Sequence, residues 1–282
     1  MERHFAAARQ ATAAARLATP ASLEDHDALG TWLVTWGHYL GLRDDHHAVI
    51  DVCQLLDRIN EEHLAGRPGR LETLRTWSGN RGRLHNALMT TQRFAEAFAL
   101  AESSIERLAP VARLWPRHEG TALALVTAHH NRVAALAAAG DERTGAACAE
   151  LRRAVEQTDT VALAGATVSF ACSRAMALIA RQELATAGPT AALAAVETAQ
   201  RHEQDCLRYA TLRRIRMAPE PALRLLHAEI LLQLDRQDDA AAQLEATGER
   251  LPHDLLAQVP ALARHRDHPR LAALLQRAAA GR

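Results

Sequence analysis

An all-α chain, built as an α-solenoid of about five antiparallel helix pairs with terminal capping helices, is predicted by three features of the sequence. Hydrophobic residues make up 48% of the 282 residues and aromatics only 4%. Alanine and leucine dominate and β-branched runs are scarce, which suits close helix packing and disfavours sheet. Five similar segments recur at nearly even spacing, each a polar turn followed by a small residue and an amphipathic run. One helix pair cannot bury both its faces, so pairs repeated along a chain must stack.

Residues 1–24 read as an N-terminal helix or arm closed by Pro20. The repeat domain spans 25–253. Its second helices carry Ala48, Ala97, Gly145, Ala192 and Ala240 just inside their starts, separated by 49, 48, 47 and 48 residues. A period near 48 gives two helices of roughly five turns each. Gly140-Asp141, Ala187-Gly188-Pro189 and Asp235 to Asp238 read as turns between helices. Pro110 and Pro252 are expected to stop the second helices of repeats two and five. Leu225, Ala228, Leu232 and Leu244 form one expected buried set; Phe94, Ala97, Phe98 and Ala101 form another. Residues 254–282 read as a C-terminal cap, broken into short helices by Pro260 and Pro269.

From residue 25 to about 255 the chain resembles the tetratricopeptide family. Trp32, Tyr39 and Ala48 stand at that family's relative spacing, as do Leu84, Leu88, Phe94, Ala97 and Ser104, with Pro110 one place late. Ala228, Leu231, Ala240 and Pro252 match in the fifth repeat, while repeats three and four match only at the small positions and the turn. The repeat is longer than the family's 34 residues. It looks similar to helical-repeat regions of bacterial transcriptional activators and peptide-responsive regulators. The resemblance implies a right-handed solenoid whose first helices line a concave, ligand-binding face.

The formal charge is zero, with 33 basic and 33 acidic residues, which argues against nucleic acid as a direct partner. Every basic residue is arginine, so a catalytic lysine, a Schiff base and a phosphate-loop lysine are excluded. Extreme genomic base composition accounts for this, and avoidance of amines near a reactive substrate is the sharper alternative. Cys53, Cys148, Cys172 and Cys206 contain no CxxC pair and read as buried thiols of a cytoplasmic protein. The N-terminus lacks the apolar stretch of a signal peptide, and no segment approaches 18 charge-free apolar residues.

Three groups could suggest metal: Asp44-Asp45-His46-His47, His129-His130, and the pair His202 and Cys206. Asp44 or Asp45 fits a helix cap better, adjacent histidines point apart on a helix, and no HExxH occurs. Asp44-Asp45 has no second acidic motif of the terpene-synthase kind. Neither a metal nor a cofactor is expected. The run from Trp77 to Asn86 is unusually polar for a helix and holds Gly79 and Gly82. It reads either as a place of close helix packing flanked by solvated arginines, or as the floor of a polar groove. Registering each repeat on its small residue, in the geometry the resemblance implies, places Asn86, His130, Arg181 and Glu229 inward; Arg174 lies two turns before Arg181, and Asn80 and Arg83 belong to the polar run.

The function expected is a peptide- or protein-binding scaffold with the groove as ligand site. The alternatives are a peptide-responsive regulator of transcription and a helical-repeat enzyme of a specialised biosynthetic pathway. No membrane is expected as partner, and a homodimer is compatible with the sequence.

Overall fold

The structure, a computed structural model, describes residues 33, 35–37, 39–66, 71–159, 165–214, 219–247, 259–265 and 267–280. The proposed arm at 1–24, Trp32 and Pro252 lie outside them. All secondary structure among the described residues is helical. The chain forms two compact units, Met1–Glu142 and Arg143–Arg282.

In the first unit a helical stretch ending at Gly41 is followed by α1 (His46–Gly66), α2 (Leu71–Thr90), α3 (Phe94–Leu114) and α4 (Glu119–Ala139). Helix α1 packs on α2, α3 packs on both α2 and α4, and α2 also meets α4. One core cluster gathers Leu40, Val49, Ile50, Leu56, Leu84, Leu88 and Ala97; a second gathers Leu64, Leu74, Trp77, Leu108 and Ala128. Trp77 is wholly buried. Its indole N–H donates to Glu61 Oε1 at 3.0 Å, so its polar edge is satisfied.

The second unit runs α5 (Thr144–Asp159), α6 (Ala166–Thr186), α7 (Pro189–Leu212), α8 (Pro221–Gln233) and α9 (Gln237–Glu245). A 3₁₀ turn at Pro260–His265 and α10 (Pro269–Ala280) follow, as the two prolines foretold. Helix α6 packs on α5 and α7, α8 on α7 and α9, and α6 also touches α8. Leu225, Ala228, Leu232 and Leu244 share one buried cluster with Leu262 and Leu271, as their spacing predicted.

One turn geometry recurs ahead of five helices. Asp44, Gln92, Gly140, Gly188 and Asp235 all have left-handed backbones, with φ of 55°, 59°, 66°, 88° and 57°. After four of them the next amide reaches back to a leucine carbonyl five residues earlier: Asp45 to Leu40, Arg93 to Leu88, Asp141 to Leu136 and Arg236 to Leu231. This is the Schellman closure, which satisfies carbonyls orphaned at a helix end. All four leucines are buried. Each helix end is thereby locked to the core through one residue.

The second helix then starts at a fixed point. The carbonyls of Asp45, Arg93, Arg143, Gly188 and Arg236 accept from the amides of Val49, Ala97, Ala147, Ala192 and Ala240. Asp45 also caps α1 with its side chain, Oδ1 accepting from the Ala48 amide at 3.1 Å, which bears out the capping role. The small-residue alignment needs correction at two repeats. Val49 and Ala147 are the buried residues, while Ala48 is only half-buried and Gly145 is exposed. The five amides are spaced 48, 50, 45 and 48 residues apart, so the period varies more than the chosen alanines and glycine suggested. Pro110 does not end its helix either; α3 continues to Leu114. A proline this near a C-terminus removes one hydrogen bond and leaves the last turn in place.

Candidate functional site

The first unit contains a polar cleft between α2 and α4, floored by α3. Helix α2 contributes Ser78, Arg81, Gly82 and His85, at i, i+3, i+4 and i+7. Helix α4 contributes Ala124, Thr127, Ala128 and Asn131 at the same spacing, and Leu100, Ala101 and Ser104 of α3 close the bottom. Those intervals place each set of four along one helical face. The inner space admitting water-sized groups is about 10 Å³, which is room for one.

Arg81 is locked in place. Its Nε and Nη2 each donate to one oxygen of Asp57 at 2.9 Å, a two-pronged pair. Its Nη1 donates to Ser103 Oγ at 2.7 Å and Ser104 Oγ at 3.2 Å. The guanidinium lies 4.4 Å from the centre of the Trp77 ring. Arg107 pairs with Glu61, which also lies 3.4 Å from Arg81. Two cations thus face two carboxylates, and the cleft wall carries no net charge from this group.

His85 lies one turn further along the same face of α2. It is 3% exposed, and its Nε2 lies 2.9 Å from the backbone oxygen of Asn131. A carbonyl only accepts, so Nε2 carries the proton and Nδ1 offers a lone pair. Burial pushes the ring's pKa below the ordinary histidine value, against smaller opposing effects from the Asn131 carbonyl and the Asn86 side chain. The neutral form is therefore the one present at neutral pH. Among the described residues no group meets Nδ1 in hydrogen-bond geometry, the Asn86 side chain being near the ring without closing such a bond. Ser104 Oγ donates to Leu100 O at 2.7 Å, so it is not poised as a nucleophile activated by the histidine. The arrangement is one for hydrogen bonding a neutral group.

The glycines of this segment are not there for close packing. A Cβ placed on Gly79 or on Gly82 would meet nothing within 4 Å, and neither has a left-handed backbone. Of the two readings of the polar run, helix contact is removed for these two positions.

The residues anticipated from the sequence fall beside this cleft. Asn80 is 1% exposed, and its Nδ2 donates to Cys53 O at 2.9 Å, tying α2 to α1. Arg83 and Asn86 are exposed on α2, and His130 is half-buried on α4. The cleft residue is in each case the immediate neighbour: Arg81, Gly82, His85 and Asn131. One residue turns a helix by about 100°, which is enough to change faces.

In the second unit Arg174 and Arg181 are exposed on α6, with no carboxylate within ion-pair distance among the described residues. Arg174 lies 6.0 Å from the ring of half-exposed Phe170. Glu229 does not face outward. It is 8% exposed, accepts from the Ala261 amide at 3.0 Å and from Gln233 Nε2 at 2.8 Å, and so holds the 3₁₀ turn to α8. A buried network that the sequence did not suggest joins α7, α8 and α9. Gln243 Oε1 accepts from Gln200 at 2.8 Å and Arg224 at 2.9 Å. Arg224 lies 3.6 Å from Glu203, whose Oε1 accepts from the Glu220 amide at 2.6 Å, at the start of α8. Burial raises the Glu203 carboxyl pKa, outweighing the Glu220 amide and Arg224. Every strong contact in this network is internal, which makes it a clasp between helices.

Among the described residues no three His, Cys, Asp or Glu side chains gather as a metal would require. The four cysteines are free and buried, and no described helix is long and apolar enough to cross a membrane. Searches of protein-family models, curated proteins and solved structures return no match to this chain.

Proposed function

We propose that this chain is a tetratricopeptide-like binding module, a right-handed solenoid of helix pairs, and that the α2–α4 cleft is where an extended peptide or partner segment docks. The repeated left-handed turns, and the contact of α2 with α4 and of α6 with α8, support the stacking of like helices. The observation that carries the binding role is a pair of glycines on α2, half-buried Gly82 in the cleft wall and exposed Gly79 one turn before it. Each glycine costs the helix about 1 kcal/mol relative to alanine, and no packing contact requires it. A bare helix surface beside polar groups gives a ligand backbone room to approach. Arg83 and Asn86 rim this surface on α2, and within the second unit exposed Arg174 and Arg181 of α6 are able to pair with carboxylates. Free buried thiols agree with a cytoplasmic location.

The test is fluorescence-polarisation binding of an extended-peptide library to the whole chain and to Gly82→Leu. Gly82→Leu fills the cleft mouth without meeting neighbouring atoms at its Cβ. Selected peptides should bind the parent and lose at least tenfold in affinity on the folded variant. Equal binding to both would move the ligand site elsewhere, and absence of binding to the parent would remove the function.

A further inference from the structure

We propose that His85 Nδ1 accepts a hydrogen bond from the hydroxyl of a serine or threonine side chain of the docked peptide, inserted between Gly82 and Asn131. The inference rests on the binding role above and specifies its ligand. Three facts converge on a hydroxyl.

The first is polarity. The Asn131 carbonyl commits Nε2 to donating, so Nδ1 is left as a buried acceptor. An acceptor of this kind calls for a donor. A ligand carboxylate would set lone pairs against a lone pair, and a ligand ammonium would be stripped of water in a recess whose Arg81, Asp57 and Glu61 charges are already paired with one another. A neutral donor is what remains.

The second is size. About 10 Å³ admits one water-sized group. A planar amide carried in the peptide backbone is too large to enter, whereas a hydroxyl on a single side-chain carbon fits. The third is what surrounds the recess. Thr127 and Asn131 line it with hydroxyl and amide groups that no other described residue engages, available to the ligand oxygen's remaining proton-accepting capacity. Arg81 and Ser104, by contrast, are already committed. Leaving a buried acceptor unpaired is costly, so a ligand lacking the hydroxyl is penalised and discrimination follows.

The experiment uses the tightest peptide from the library, with each serine replaced by alanine and each threonine by valine in turn. At one position the loss should be tenfold or more on the parent chain. On His85→Phe, which keeps a ring in the core but has no acceptor, the same replacement should change affinity less than twofold. Gly82→Ala, whose added methyl meets nothing, is the second variant and should also blunt the discrimination if His85→Phe does not fold. If no serine or threonine matters beyond twofold, or if the sensitivity is equal in the parent and in the folded variant, the hydroxyl role is refuted while peptide binding stands. If no peptide binds the parent, both fall.

Discussion

Replacing Gly79 and Gly82 together by alanine separates a stability cost from a binding role. Both lie inside α2, well away from its ends at Leu71 and Thr90. Neither adopts a positive φ, so alanine meets no backbone strain. Neither Cβ would touch a neighbour within 4 Å, so there is no steric term to set against the gain. The gain is then the difference in helix propensity, about 1 kcal/mol for each position. Contacts are absent at both, and the two should add to about 2 kcal/mol. For a domain of this size that raises the melting temperature by roughly 5 °C. Urea unfolding followed by circular dichroism measures it, as an increase in midpoint with unchanged slope. In the same protein, peptide affinity should fall, because two methyl groups now stand where the ligand backbone would lie. A lower midpoint would refute the reasoning about open space. A higher midpoint with undiminished affinity would show that the glycines are not kept for the ligand.

The turns give a paired prediction: Gln92→Gly, at φ 59°, should stabilise by about 1 kcal/mol and Gly140→Ala, at φ 66°, should destabilise by about as much, both read from denaturant midpoints. Asp57→Ala removes the two-pronged partner of Arg81, whose side chain is 12% exposed; with Glu61 at 3.4 Å left as its one carboxylate partner, the loss should cost about 2 kcal/mol in the same assay. For pH, burial first, then Arg224 and Arg236, push the His227 pKa down to about 4, with Asp239 opposing. The unfolded chain therefore binds the extra proton first, and stability contributed by neutral His227 is full above the ordinary histidine pKa and lost as pH falls from about 6.5 toward 4. The raised carboxyl of Glu203 works the other way, giving up stability as pH rises through its folded pKa. As pH falls through this range the melting temperature of the parent should drop more than that of His227→Phe, and equal drops would refute the contribution.

The helix pairs were legible because two signals agree at each turn. Apolar residues at helical spacing mark the faces, and residues able to leave the helix mark its ends. Gly140 and Gly188 announce such ends openly. Asp44, Gln92 and Asp235 adopt the same left-handed backbone without a glycine, so the recurring polar turns could be read from the sequence but their shared conformation could not. Small side chains proved a weaker guide. Gly145 precedes the buried start of its helix, and the chain buries Ala147 there instead.

The cleft was legible as a segment and not as a set of side chains. The stripe Leu74, Trp77, Leu84 and Leu88 defines the core face of α2, and Asn80 lies close enough to that stripe to be drawn inside it. The face that meets α4 begins one residue further round, at Ser78, Arg81 and His85. Which of two adjacent residues faces a neighbouring helix depends on rotation about the helix axis, and that rotation is set by how α3 seats against both α2 and α4. Ser104 illustrates the dependence. It fits the small-residue pattern of the repeat, yet its hydroxyl also helps hold Arg81 upright in the cleft. The packing position and the site position coincide in one residue, so a change made there for stability will also move the guanidinium that lines the recess one turn before His85.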